Sequence, residues 1–458
     1  MYKINSDTKH SRTLFALSYD DEKNIDKRKP NTFFEHQNDI FWIMPLQADF
    51  SAGIFEKALF AFFQSRTAGI NVDIDSFIKC AGSEKAQQII TTLITSSEQF
   101  NDISACYKTD KGIQRINNFV VDITKYKDEV YVAEVTADAC NFAKKLITMP
   151  GNMMSANDFE AEIKSKFASI PEVKLSVLNK KDLESKKMGL ILAVGKQSTP
   201  EQEPRIIIAE YNNAQDKKKL AVVGKGITFD TGGLNIKTDN HMIGMHADMA
   251  GAAISLATMY VAAKLKINTN LVCLACCVSN ETGPEAYRVN DVITAYNGKT
   301  VEISNTDAEG RLALADGVSY ANKDLKADTI ITVATLTGAL RFALGTTFTG
   351  IWSTNEDNWQ LIKSASSLAS EEIWRLPFHP DFQKLLNVSN IADIVNCSLS
   401  GLAGSSTAAE FIKYFIGDSH LIHADIAFTS EYKGRAPSPV YVPVMVRTFI
   451  QFAKQFGK

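Results

Sequence analysis

The chain has 458 residues, 45% hydrophobic and 22% charged, with 49 Lys plus Arg against 52 Asp plus Glu and a net charge of −3. This is ordinary globular usage at a length suited to two or three domains. The near-balance of charge excludes a general attraction to nucleic acid or to an anionic membrane surface, and no run approaches the ~18 apolar residues of a bilayer span.

In chain order, the N-terminal segment "MYKINSDTKHSRTLFALSYDDEKN" lacks a long apolar run and carries acidic residues early, unlike a secretory signal. The seven cysteines are odd in number and scattered, which suits a reducing compartment. Both features predict a cytoplasmic protein. Residues 1–130 mix short apolar runs such as "DIFWIMPL" and "NNFVVDI" with polar stretches, and read as a smaller N-terminal α/β domain. A helical pattern from about Val130 stops at Pro150-Gly151, predicting a linker helix over 131–150 and a larger domain over 151–458.

Beyond the linker, strand-like runs alternate with helix-like ones. "KLAVVGKGITF" is β-rich, "GAAISLATMYVAAKLK" has helical spacing, and "TNLVCLACCV", "TVEIS", "EGRLALADGVSYANKDL" and "DTIITVATL" follow. Wholly apolar strands between helices predict a mostly parallel sheet covered on both faces, with ligands gathered at the carboxyl ends of its strands. The cysteines of "CLACC" (Cys273, Cys276, Cys277) invite a zinc reading. No second Cys/His pair stands at a useful spacing, so a buried strand is the expectation.

Two polar clusters interrupt this pattern. "VGKGITFDTGGLNIKTDNHMIGMHADMAGAA" carries Lys225, Asp230, Lys237 and Asp248 among glycines, and "NTDAEGRLAL" sets Asp307, Glu309 and Arg311 at alternate positions. Singly, these are turn residues or surface charges, and Asp307 with Arg311 could be a surface pair on a helix. In an extended segment the alternation would instead send all three side chains to one face. A phosphate loop needs Lys after its second Gly, followed by Ser/Thr, and Gly224-Lys-Gly226 also fails the dinucleotide fingerprint. Together, however, Asp230, Asp248, Asp307 and Glu309 supply four carboxylates from segments following sheet strands. Packed in one crevice they would repel unless cations lay between them, and two divalent ions would neutralise them.

These clusters resemble, without internal gaps, the signatures of the leucine (cytosol) aminopeptidase family of two-metal exopeptidases. "PEAYRVNDVITAYNGKTVEI", "ATLTGAL", "WRLPF" and "STAAEFIKYF" extend the resemblance from about Val130 to the C-terminus. It implies that Asp230 and Glu309 bridge two metals, that Asp307 completes one site, and that Lys225 (as a neutral amine) and Asp248 complete the other. The metals, manganese or zinc first and cobalt or magnesium next, would polarise the scissile carbonyl, activate water and hold the free α-amine of a peptide. Lys237 would face the oxyanion. Arg311 would hold a bicarbonate general base, helped by amides near Ala308, Gly310 and Leu336. Met245, Thr335, Gly338, Ala427 and Ser430 would line the pocket for the first substrate side chain. The resemblance further implies a homohexamer.

The chain departs from the family pattern at Ala250 and Phe428, where glycine is usual, and at His246, where a basic residue is common. It departs again at Val289-Asn290, in place of Pro-Gly, and at Ser430, where methionine is common. None removes a proposed ligand, though Phe428 and Ser430 bear on a simple leucine preference. A two-metal phosphoesterase and a non-catalytic or DNA-binding homologue are the rival readings. The neutral-amine ligand argues against the first; the complete polar set and slightly acidic balance argue against the second.

Overall fold

The computed structural model describes residues 2–4, 12–20, 28–66, 68–98, 117–215, 218–432 and 440–457. Part of the N-terminal segment inspected for a targeting signal lies outside the described residues. The chain divides into two compact units, residues 1–141 with 367–371, and residues 142–366 with 372–458. Among the described residues no helix is long and apolar enough to cross a membrane.

In the first unit, strands β1 (Tyr2–Ile4), β2 (Thr13–Ser18), β3 (Phe33–His36), β4 (Asp39–Met44), β5 (Asn71–Asp73) and β6 (Asn117–Val120) form one sheet. Their order is β1-β6-β5-β2-β4-β3, parallel except for the β3/β4 pair. Alternate residues Leu14, Ile40 and Trp42 pack with Phe55, Phe77 and Phe119 into its core.

The second unit adds β7 (Lys174–Leu178), β8 (Arg205–Asn212), β9 (Leu220–Asp230), β10 (Asn270–Asn280), β11 (Val292–Thr294), β12 (Thr300–Glu302), β13 (Thr329–Ala334), β14 (Thr349–Ser353), β15 (Ile373–Arg375), β16 (Ile394–Val395) and β17 (His420–Asp425). Eight of these form the large sheet β15-β14-β17-β13-β9-β10-β8-β7, and β11-β12-β16 form a small one. The central four, β17-β13-β9-β10, are parallel; β14, β8 and β7 join antiparallel towards the edges. The central strands are apolar at nearly every position because both faces are covered. Cys273, Cys276 and Cys277 are fully buried in β10, as the strand reading expects.

Helix Ala250–Lys264 lies against the Gly224 side of β9 and helix Gly310–Lys323 against the Val223 side, so they cover opposite faces. The first approach is backbone to backbone. A Cβ on Gly224 would collide with the Gly251 carbonyl, and one on Gly251 with the Val333 carbonyl, so a side chain at either would push the helix off the sheet.

Candidate active site

Lys225 and Asp230 both lie on β9, Asp230 being its last residue. Five positions apart, they would point to opposite faces of a regular strand. They do not, because β9 carries an extra residue between Ile227 and Asp230 relative to β10, where Val278 pairs with Ile227 and Asn280 with Asp230. The bulge reverses the alternation and returns Asp230 to the Lys225 side. Beyond it, Gly232 (φ +87°) and Gly233 (φ +62°) take left-handed conformations that turn the chain, and the following loop brings Lys237 back over the strand end.

The second cluster converges differently from the extended arrangement the alternation predicts. Asp307 sits in a turn, Glu309 is the helical-φ/ψ N-cap of Gly310–Lys323, and Arg311 lies in that helix's first turn. A strand–turn–helix corner, rather than a pleat, brings them together. Asn396 holds this corner from below: its side chain receives the Ser304 amide at 2.8 Å and donates to the Asn305 carbonyl at 2.7 Å.

These elements frame one cavity of about 570 Å³ at the carboxyl ends of the central strands. Lys225, Asp230, Lys237, Met245, Asp248, Asp307, Ala308, Glu309, Arg311, Thr335, Leu336, Gly338, Ala427 and Ser430 all line it. Gly310 does not, but it makes room for the site: a Cβ there would strike the end of the Lys225 side chain. His246 also lies outside the lining, its ring edge-to-face with Tyr441 at 5.4 Å, and burial holds its pKa below the usual range. The histidine on the cavity wall is His241.

Carboxylate oxygens of Asp230, Asp307 and Glu309 lie within 4.8 Å of one another. Lys225 Nζ contacts Asp248 Oδ2 at 2.7 Å and Glu309 Oε1 at 3.1 Å, and donates to the Thr335 carbonyl at 3.1 Å. Lys237 Nζ contacts Asp230 Oδ2 at 2.8 Å and Asp307 Oδ1 at 2.5 Å. Four carboxylates thus face two ammonium groups, and all but Asp307 are nearly buried. The imbalance shows in the proton affinities. Burial, then repulsion from Glu309 and Asp248, raises the Asp230 carboxyl, while burial raises Asp248 against the pull of Lys225. Asp307 is raised by burial and by Glu309. Glu309 goes the other way: burial would raise it, but Lys225 and Lys237 outweigh that. Burial likewise opposes both ammonium groups, yet the carboxylates hold Lys225 and Lys237 above the ordinary lysine range.

The donor set fits divalent metal ions. Glu309 Oε2 is buried without a hydrogen-bond partner, a costly arrangement for a carboxylate unless a cation meets it. Asp248 Oδ1 and Asp230 Oδ1 are oriented by Thr335 Oγ1 (2.6 Å) and the Gly232 amide (2.9 Å), leaving each second oxygen towards the cluster. The candidate donors are hard oxygens apart from one amine, which suits such ions.

Several contributors escape a reading of single motifs. Asp425, at the end of β17, receives the Leu336 and Ala427 amides, both at 3.1 Å, and the Thr337 hydroxyl at 2.6 Å, tying together two loops that line the cavity. Asn280, on β10, reaches both motif loops. Their signal in the sequence was a polar residue closing an apolar strand, which acquires meaning only once strand order is known.

Four carboxylates opposed by only two lysines, at the carboxyl ends of helix-covered strands, make a cavity of the class suited to a metal-dependent hydrolase. Residues 141–450 match the model of the cytosol aminopeptidase family catalytic domain. A probable cytosol aminopeptidase of Mycoplasma pneumoniae is 41% identical over 90% of this chain and 91% of its own length. That of Mycoplasma genitalium is 40% identical over 92% and 93%. The chain belongs to the cytosol aminopeptidase family, and it is a metal-dependent aminopeptidase acting on peptides. The fold is shared with leucyl aminopeptidase from Trypanosoma cruzi (TM-score 0.82, 24% identity, 97% of this chain and 93% of that one). It is also shared with bottromycin maturation enzyme BotP in complex with Mn (TM-score 0.84, 24% identity, 98% and 100%).

Proposed function

We propose that the enzyme removes single N-terminal residues from peptides using two divalent cations, with Lys237 facing the oxyanion and a bicarbonate held by Arg311 as general base. Asp230 and Glu309 would serve both cations, Asp307 would complete one site, and Lys225 with Asp248 would complete the other. When bound, the cations supply charge that polarises the scissile carbonyl, activates water and holds the free α-amine, and bicarbonate supplies the base. Manganese, present in the complex of BotP, is the first candidate, followed by zinc, then cobalt or magnesium. Lys225 would ligate as a neutral amine, its pKa drawn down by the neighbouring cations. Lys237 keeps its proton and directs it to the developing oxyanion. Met245, Thr335, Gly338, Ala427 and Ser430 receive the first side chain. The catalytic machinery lies within 151–458, and we place the enzyme, as a homohexamer, in the cytoplasm, the compartment in its relatives' name.

One observation carries the anion-clamp reading. Arg311 is 6% exposed, its Nη1 donates to the Asn396 carbonyl at 3.1 Å, its Nε has no partner, and no carboxylate among the described residues pairs with it. A buried guanidinium on a cavity wall without a counter-ion supports an exogenous anion, and the start of a 14-residue helix adds its positive end. The clamp differs from the simplest expectation, since the Leu336 amide is committed to Asp425. The Ala308 amide already donates to the Asn305 carbonyl at 3.4 Å, so the remaining donors are Arg311 and the Gly310 amide. Carbon-dioxide-depleted buffer is expected to lower kcat by about an order of magnitude, within the range of general-base assistance, with recovery on adding bicarbonate. Arg311→Ala should abolish that response and Arg311→Lys restore only part of it, because an ammonium lacks the fork. Unchanged kcat on depletion would overturn the anion clamp, and loss of activity in His241→Ala would then point to the histidine on the cavity wall as the base.

A further inference from the structure

We propose that Asn280 is a positioning residue for the metal ligands: it selects which oxygen of Asp230 faces the cluster, joins the Asp230 and Asp307 loops, and so sets the affinity for divalent cations. The proposal rests on the two-metal reading of the site.

Asn280 ends β10, is fully buried, and stands opposite Asp230 in the parallel register just past the β9 bulge. Its Nδ2 donates to Asp230 Oδ1 at 2.9 Å and to the Thr306 carbonyl at 3.1 Å. Both partners are acceptors only, so the reversed amide would set its oxygen against a carboxylate and a carbonyl, and this orientation is the one electrostatics allows. Asp230 Oδ1 also receives the Gly232 amide at 2.9 Å. Two donors on Oδ1 leave Oδ2 facing inward, where Lys237 Nζ lies at 2.8 Å.

The second bond acts on the other motif. Thr306 precedes Asp307, and its hydroxyl donates to the Gly232 carbonyl at 2.7 Å while its own amide donates to Asn235 Oδ1 at 2.8 Å. Asn280 therefore closes a ring of hydrogen bonds through both ligand-bearing loops. Its Oδ1 is buried with no partner. An unsatisfied buried acceptor costs about 1–3 kcal/mol, and tolerating it for one amide NH₂ points to what that NH₂ holds.

Tyr287 provides the control. Its hydroxyl donates to the same Thr306 carbonyl at 2.7 Å. Among the described residues no hydrogen bond joins it to Asp230, so Tyr287→Phe removes a buried donor from Thr306 and leaves the hydrogen bonds of the carboxylate as they are. Full-length wild type, Asn280→Ala, Asn280→Ser and Tyr287→Phe would be stripped of metal, their melting temperatures compared, and Mn²⁺ affinity measured by competition with a chelating dye. Asn280→Ala is expected to bind Mn²⁺ about 10- to 100-fold more weakly, the usual effect of losing a partner that orients a ligand. Its lost activity should return largely at saturating Mn²⁺. Tyr287→Phe should lower the melting temperature of the metal-free protein while keeping near-wild-type Mn²⁺ affinity. If Asn280→Ala does not fold, Asn280→Ser, too short to reach both acceptors, carries the same expectation. Wild-type affinity in the Asn280 variants, or an equal loss in Tyr287→Phe, overturns the positioning role alone. A wild-type protein that binds no divalent ion overturns the two-metal reading and this proposal with it.

Discussion

Replacing Lys237 by alanine moves three observables in different directions. In the metal-free protein its ammonium is 2.8 Å from Asp230 Oδ2 and 2.5 Å from Asp307 Oδ1. A pair at such distance has a Coulomb energy of about 6 kcal/mol at an effective dielectric of 20, most of which is cancelled by desolvation. Asp307 is one-third exposed at its side chain (34%), and solvent reduces its share further. The metal-free Lys237→Ala protein should therefore lose about 2 kcal/mol of stability, below the roughly 3–5 kcal/mol of a fully buried pair because solvent reaches Asp307. The same ammonium competes with a cation for Asp230 and Asp307, so its removal should leave metal affinity unchanged or raise it by about tenfold. The kcat should still fall by about 10²–10³, the loss expected for one oxyanion partner. Asp248→Asn and Glu309→Gln should instead weaken metal binding itself. Urea denaturation of stripped protein, dye-competition titration with Mn²⁺ and steady-state hydrolysis of leucine amide would read the three effects. If Lys237→Ala loses metal as readily as Asp248→Asn, or keeps wild-type kcat, the assigned role is wrong.

His423, fully buried on β17 with Nδ1 2.8 Å from Thr332 Oγ1, has its pKa lowered to about 3 by burial and then by Arg311. Its unfolded form takes up a proton near pH 6.5, so folded stability falls as pH drops below that value; from pH 7.5 to 5.5 this group should cost about 1.4 kcal/mol. The change in unfolding free energy between the two pH values, from urea denaturation of metal-free wild type and His423→Gln, should differ by that amount, and equal changes would show that His423 is not the source. On the cavity wall proposed to receive the first side chain, Ser430 is 3% exposed and Phe428 holds a left-handed backbone (φ +66°) unusual for a bulky residue. Ala-, Met- and small polar N-terminal residues should therefore compete well with Leu, within the 1–3 kcal/mol or so that a methylene can discriminate. Phe428→Gly should relieve the backbone and shift preference towards Leu; an exclusive Leu preference in the wild type would count against this pocket.

The parallel, helix-covered sheet was legible because its central strands are continuously apolar and its helices are not. The charged residues were legible because so many carboxylates in two short segments demand a common counter-charge. The route by which they meet was not. Asp230 joins Lys225 through a bulge measurable only against β10, and Asp307, Glu309 and Arg311 meet at a turn and helix start rather than along a strand. The commitment of the Leu336 amide to Asp425, and the bond from Asn280 to Asp230, depend on which strands are neighbours. Composition and spacing carry no information on that. His241 rather than His246 reaches the cavity because the loop after Lys237 folds through Gly244 at φ +90°, a local conformation that charge patterning does not encode.

Divalent ions held by this carboxylate cluster are what should make the cavity an aminopeptidase site. The most direct test is hydrolysis of a leucine-initiated peptide, free or N-acetylated, by chelator-stripped protein before and after refilling with Mn²⁺, Zn²⁺, Co²⁺ or Mg²⁺. The stripped protein should be inactive, should recover with about two ions per chain on the free peptide, and should stay inactive on the acetylated one. Equal rates on both peptides, or full activity without metal, would contradict that role for the ions.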